Sequence, residues 1–255
     1  SEGGLFLLRV GRNAEAMDET VTMTSHAMLT PEAHRELRVR RERDVALGDG
    51  VMSCVTMPAE FRRIQAHYPI LFRRNAERDG FTSLALFGFQ EGENLFLEGV
   101  AWDADYVPLA MSVQPFLIGG TAGARQVHVD LASPRIGAGW RVFDDTGRPT
   151  SYLEAIAEQL GELDEGWRGS EGFFAALRRY ELLEPLTLEV TLADGSVNRL
   201  IGFHVIDEAR LAALDAAALG ALHAEGHLMP IFMAVASIGN FNALVARKNR
   251  GLSDG

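Results

Sequence analysis

Residues 186–206 read LTLEVTLADGSVNRLIGFHVI, and this stretch decides the fold class. Leu186, Leu188, Val190 and Leu192 alternate with Thr187, Glu189 and Thr191. Successive strand side chains point to opposite faces, so the alternation describes a strand with one apolar and one polar side. Asp194-Gly195 follows, and a tight hairpin turn needs the positive φ that Gly adopts without steric cost. A second β-rich run covers 197–206. So short a connection joins only antiparallel strands, and the stretch predicts an antiparallel hairpin.

Helical signals follow the hairpin. Asp207 is placed to cap an Ala- and Leu-rich stretch that Gly226 closes, and Pro230 opens a last helix running to about Lys248. Arg247, Lys248 and Arg250 suit the negative C-terminal end of that helix. On the other side, Ser170 precedes Phe173, Phe174, Leu177 and Tyr180, and Thr150 precedes Leu153, Ile156, Ala157 and Leu160, each at helical spacing. Gly161, Gly166 and Gly169 are expected to interrupt any continuous helix across them.

Strand signals fill the first half. Val127, Val129 and Leu131 alternate with Gln126, His128 and Asp130, while 70–72 and 81–89 are apolar runs separated by Asn75, Asp79 and Gly80. Pro58 opens a short helix carrying Phe61, Ile64 and Tyr68, and Pro69 ends it. Gly119-Gly120-Thr121-Ala122-Gly123 lacks the Gly-Lys-Ser/Thr ending of a phosphate loop and reads as a turn. Val21-Thr22-Met23-Thr24 alternates like an edge strand. The expectation is an α+β single domain with a mostly antiparallel sheet and C-terminal helices. Residues 1–30 form an extension or edge strand, 31–249 the domain, and 250–255 a flexible tail.

Of the 255 residues 47% are hydrophobic and 23% charged, the balance of a globular protein. The formal charge of -11 opposes a sequence-independent grip on nucleic acid, which depends on Lys and Arg. One local exception is the cluster Arg35, Arg38, Arg40, Arg41 and Arg43, interrupted by Glu36 and Glu42. It reads as a solvated, salt-bridged face, with an anion or lipid-headgroup site as the alternative. The single cysteine, Cys54, lies in an apolar run, reads as a small buried hydrophobe, and excludes an intrachain disulfide. No run reaches the roughly 20 apolar residues that span a bilayer; the longest, 228–238, contains Pro230 and Ser237 and reads as a buried helix. The first residues offer only Leu5-Phe6-Leu7-Leu8 before Arg9, too short for a secretion signal, so the expected location is cytoplasmic.

Three residues carry the sharpest chemical signal. His128 and Asp130 stand two apart on a strand and share a face, as two corners of a two-His-one-carboxylate iron site, with His204 available as a third ligand. That reading implies an Fe(II)/2-oxoglutarate-type oxygenase, or another enzyme modifying a peptide or small molecule. The competing reading makes Gln126, His128 and Asp130 the solvated side of an amphipathic strand, with no cofactor. No serine stands in a Gly-x-Ser-x-Gly setting, and Asp144-Asp145 with Gly147 reads as a turn.

Several pieces together resemble the bacterial SapC family across 31–247. They are Pro31-Glu32-Ala33-His34 with Leu37-Arg38-Val39, Pro58-Ala59-Glu60-Phe61, Tyr68-Pro69-Ile70-Leu71-Phe72 and Gly92-Glu93-Asn94-Leu95-Phe96. Trp102, Tyr106-Val107-Pro108, Pro115-Phe116, Asp130, 143–147, Leu183-Glu184-Pro185-Leu186, 202–207, Ser237 and Asn240 continue the pattern. The resemblance implies a link to a bacterial surface layer and to outer-membrane uptake systems, and it is distinct from the peptide-transporter permease of the same name. In that family the position of His128 is apolar or variable, so the resemblance implies no shared metal triad. The function expected from it is a non-enzymatic binding or accessory protein whose partner is a protein, a peptide or a small molecule, with no transmembrane segment and the oligomeric state left open. The site residues it implies are His34, Asn94, Trp102, Tyr106 and Asp130.

Overall fold

The computed structural model describes residues 25–75, 80–121 and 124–253. In chain order the longer strands are β1 (His26–Met28), β2 (Ser53–Thr56), β3 (Ile70–Asn75), β4 (Gly80–Leu86), β5 (Phe116–Thr121), β6 (Ala124–Asp130), β7 (Leu183–Thr191) and β8 (Val197–Ile206). The longer helices are α1 (Ser151–Arg179), α2 (Glu208–Ala212), α3 (Ala216–Ala224), α4 (Leu228–Ser237) and α5 (Asn240–Ser253). Every pairing among these strands is antiparallel and the chain closes with helices, as an α+β fold requires.

The chain forms two compact units. The larger holds Val51–Phe96, Asp103–Pro108 and the part from Glu165 onward. Its five-stranded sheet has the order β7-β8-β3-β4-β2. The predicted hairpin is β7 and β8, paired from Leu183↔Ile206 to Thr191↔Val197 with an irregularity between Leu186 and Leu188. Gly195 has φ +83°, its N–H donates to Leu192 O at 3.0 Å, and Leu192 N donates to Ser196 O at 2.8 Å. That geometry is a tight turn closed by a left-handed glycine. The first half of strand β3 is apolar without alternation because both its faces are covered there, and Ile70, Leu71 and Phe72 are all fully buried, before Arg73, Arg74 and Asn75 lead outward. Ser237 on α4 ties helix to strand: its hydroxyl accepts from Ile70 N at 2.9 Å and donates to Ala234 O at 2.6 Å. Phe61 packs edge-to-face on Phe72 and Phe173, with centroids 6.4 and 5.9 Å apart.

The smaller unit comprises described residues from 25 to 50, Leu97–Trp102 and Leu109–Asp164. Its sheet has the order β1-β6-β5, so β1 is an edge strand. Arg38–Val39 and Trp140–Arg141 make a separate two-strand ladder. Val39, Phe116, Val129, Val142 and Phe143 form the core with Leu153, Ile156 and Leu160 from α1. Thr150 caps α1 as expected, accepting from Leu153 N at 3.4 Å. The alternating 21–24 and the tip of the 119–123 turn lie outside the described residues.

Three expectations need correction. Helix α1 runs unbroken through Gly161, Gly166 and Gly169. Ser170 therefore caps nothing; its hydroxyl bonds back to Trp167 O at 2.6 Å inside the helix. The C-terminal helices are divided: Asp207 caps only α2, Asp215 caps α3, and α4 stops at Ser237 where i→i+3 bonds tighten the backbone around Gly239. By length and composition alone, the stretch Leu228–Leu252, divided between α4 and α5 after Ser237, is long and apolar enough to cross a membrane. Ile231, Ala234 and Ser237 face inward while Met229 and Phe232 are exposed.

Candidate functional site

In the larger unit, the polar centre is Glu60. Strand β2 runs into a 3-10 turn, Pro58–Glu60, whose proline fixes the entry and whose last residue is turned inward. Glu60 Oε2 accepts from Thr56 Oγ1 at 2.8 Å and Oε1 accepts from Tyr106 OH at 2.7 Å. Tyr68 OH donates to Tyr106 O at 2.5 Å, Ser83 Oγ donates to Thr56 O at 2.7 Å, and the Arg63 guanidinium lies 4.9 Å from the Tyr106 ring centroid. A buried carboxylate is stable only with such partners, and here both oxygens have one. Cys54 lies nearby; burial first, and the Glu60 charge second, push its thiol well above its ordinary value. Both effects disfavour the thiolate, and the thiol is buried. Glu60 appears in the sequence only within Pro58-Ala59-Glu60-Phe61, and a lone Glu beside core aromatics was the one available signal.

In the smaller unit, the polar centre is Asp49, fully buried and bound to Arg135, which is 1% exposed, at 2.5 Å. Arg43 adds a second contact to Asp49 at 3.2 Å and donates to Met111 O at 2.9 Å. Burial lowers the Arg43 pKa and the Asp49 charge opposes that shift. Arg135 also donates to Glu42 O at 3.0 Å and Arg40 O at 3.4 Å, and Asp49 accepts from Asp44 N at 2.9 Å. Backbone 40–44 is thus fastened from inside.

Outside the same segment, Arg41 stacks 4.5 Å from the Trp140 ring centroid and 5.5 Å from that of Tyr152. Arg38 donates to Gly139 O at 3.3 Å. Trp140 remains 54% exposed and the side chains of Arg38, Arg40 and Arg41 are open to solvent. The expected salt-bridged face is not what forms. Of the five clustered arginines only Arg43 meets a carboxylate among the described residues, and Glu36 pairs with Arg141 instead. The result is an exposed run of arginines, Arg41 stacked on Trp140, on a backbone fastened by buried hydrogen bonds.

The residues expected from sequence fall as follows. His34 is buried, and its Nδ1 accepts from Thr30 N at 3.2 Å. Trp102 sits on a two-residue ladder opposite Leu97. Asp130 lies opposite His26 and accepts from Ala132 N at 3.0 Å. These three belong to the smaller unit. Asn94 and Tyr106 belong to the larger, where Tyr106 joins Glu60 and Asn94 Oδ1 accepts from Phe96 N at 3.0 Å in a local turn.

For the metal reading, His128 and Asp130 do share β6, but His204 is on β8 of the other unit, opposite Phe72 and edge-to-face with Phe81 at 5.0 Å. Among the described residues no group of three His, Cys, Asp or Glu side chains is placed to hold a metal ion. Burial first, then the charge of His26, lowers the His128 pKa; burial first, then Arg74, lowers that of His204.

Comparison with curated proteins and with solved structures finds no match in either. The SapC family model matches residues 29–244, and the chain belongs to the SapC family.

Proposed function

We propose that this chain is a non-enzymatic binding or accessory protein of a bacterial surface-layer or outer-membrane nutrient-uptake system. The observation that carries the reading is the exposed segment that bears Arg38, Arg40 and Arg41, with Arg41 stacked on Trp140. Its charges lack carboxylate partners among the described residues, and its backbone is held by the buried Asp49–Arg135 pair. A segment whose backbone is already fastened and whose charges are unspent is suited to recognition, because the backbone adds little ordering cost on binding. The polar groups of the larger unit support the same reading from the other side: Glu60, Tyr106 and Thr56 are engaged with one another and hold the fold.

The test is photo-crosslinking in cells with a photoreactive phenylalanine in place of Trp140, followed by identification of what is attached. The expected result is a crosslink to a component of the cell envelope that is lost when Arg38, Arg40 and Arg41 are all changed to Gln. Turnover of a small molecule by the purified protein, unaffected by those changes, would contradict it.

A further inference from the structure

Arg41 is held by its backbone and by its side chain. Arg135 donates to the carbonyls on either side of it, Arg40 O at 3.4 Å and Glu42 O at 3.0 Å, and Arg40 N donates back to Arg135 O at 2.9 Å. The guanidinium lies against two rings, Trp140 at 4.5 Å and Tyr152 from the first turn of α1 at 5.5 Å, and those rings have centroids 6.3 Å apart. The side chain is nonetheless exposed, and among the described residues no carboxylate stands within ion-pair distance of it. A guanidinium is planar: stacking occupies a face, while the N–H donors lie in the plane and point out around its edge. The stack therefore fixes the donor fork without using it.

We infer that Arg41, stacked on Trp140 and Tyr152, anchors a carboxylate of the bound partner, an inference that rests on the binding reading above and names the group recognised. A carboxylate is the planar acceptor that such a fork meets with two parallel, charge-assisted hydrogen bonds. Charge separates it from phosphate. Glu42 is the next residue, and Glu36 and Asp145 both bond Arg141 beside Trp140. Like charges this close repel a dianion more than a monoanion, so the singly charged carboxylate is favoured. Trp140 is 54% exposed and offers the rest of a carboxylate-bearing ligand an apolar wall next to the fork. Backbone and guanidinium are both placed before the ligand arrives, and little freedom is lost when it docks.

The experiment is a titration of the full chain with sodium acetate, and separately with sodium phosphate, at constant ionic strength and neutral pH, following the Arg41 Nε–H and Trp140 indole N–H signals by NMR. The expected result is that both signals shift saturably at roughly millimolar acetate, and less with phosphate at the same concentration. Arg41→Lys keeps the charge but not the fork, and weakens acetate binding about tenfold or more, read at Trp140. Trp140→Leu removes the stack and weakens it roughly three- to tenfold, read at Arg41. Arg199→Gln, in the larger unit, leaves it unchanged, and circular dichroism verifies that each variant is folded. Shifts that stay linear in acetate, or acetate binding undiminished in folded Arg41→Lys, overturn the inference; tighter binding of phosphate overturns the assignment to carboxylate. Absence of acetate binding with the crosslink at position 140 landing on an envelope component overturns the carboxylate and leaves the binding role standing. Absence of both overturns the two together.

Discussion

Removing Arg135 takes from the fully buried Asp49 its guanidinium contact at 2.5 Å. Breaking a buried pair from one side leaves an uncompensated charge, so Arg135→Met is expected to cost about 3–5 kcal/mol in urea unfolding. The double change Arg135→Met with Asp49→Leu should be less destabilising than Arg135→Met alone, because it removes that charge. A second residue-scale expectation concerns His128 and His204, whose pKa values are lowered in the folded state. A histidine depressed by folding binds its proton more readily in the unfolded chain. Its contribution to stability is complete above the ordinary value of about 6.5 and is lost as pH falls from there through the folded value. Unfolding midpoints measured across that window should fall with decreasing pH, and the decline should be shallower in His128→Gln with His204→Gln.

At the scale of the element, the hairpin was legible because alternation and Asp194-Gly195 are local signals. Helix α1 was not, because its three glycines argue locally against it. What overrides them is packing: Leu153, Ile156, Leu160, Phe173 and Leu177 are buried along its length. Gly166 also has a tertiary use, since a Cβ there would lie 3.0 Å from Met57 Sδ. Gly161 and Gly169 have nothing within 4 Å of an added Cβ. Gly161→Ala and Gly169→Ala should therefore each stabilise by about 0.5–1 kcal/mol, while Gly166→Ala should gain less or destabilise. Thermal unfolding of the three single variants distinguishes these outcomes. The divided C-terminal helices were half legible: Pro230 and Gly226 are local marks, but the break near Gly239 follows from Ser237 and Asn240 bonding to Ile70 N and Gln65 O, which no local pattern reveals.

At the scale of the molecule, net acidity hides an arginine-rich segment. The cluster at 35–43 was visible in the sequence, yet the groups that give it form were not. Arg135 and Asp49 are 86 residues apart and Arg41 meets Trp140 across a comparable separation, so the local reading supplied Glu36 and Glu42 as partners where the fold supplies a tryptophan. The metal reading mixes the two scales: His128 and Asp130 are a local pair, whereas His204 belongs to the other unit, and no local pattern joins the three. The central claim is that the protein works by binding through the exposed segment of Arg38, Arg40 and Arg41 beside Trp140. The most direct test is complementation of a bacterium deleted for this chain, reading surface-layer retention and nutrient uptake. The account predicts that a folded variant with all three arginines changed to Gln fails to restore them. Full restoration by that variant at normal expression would contradict it.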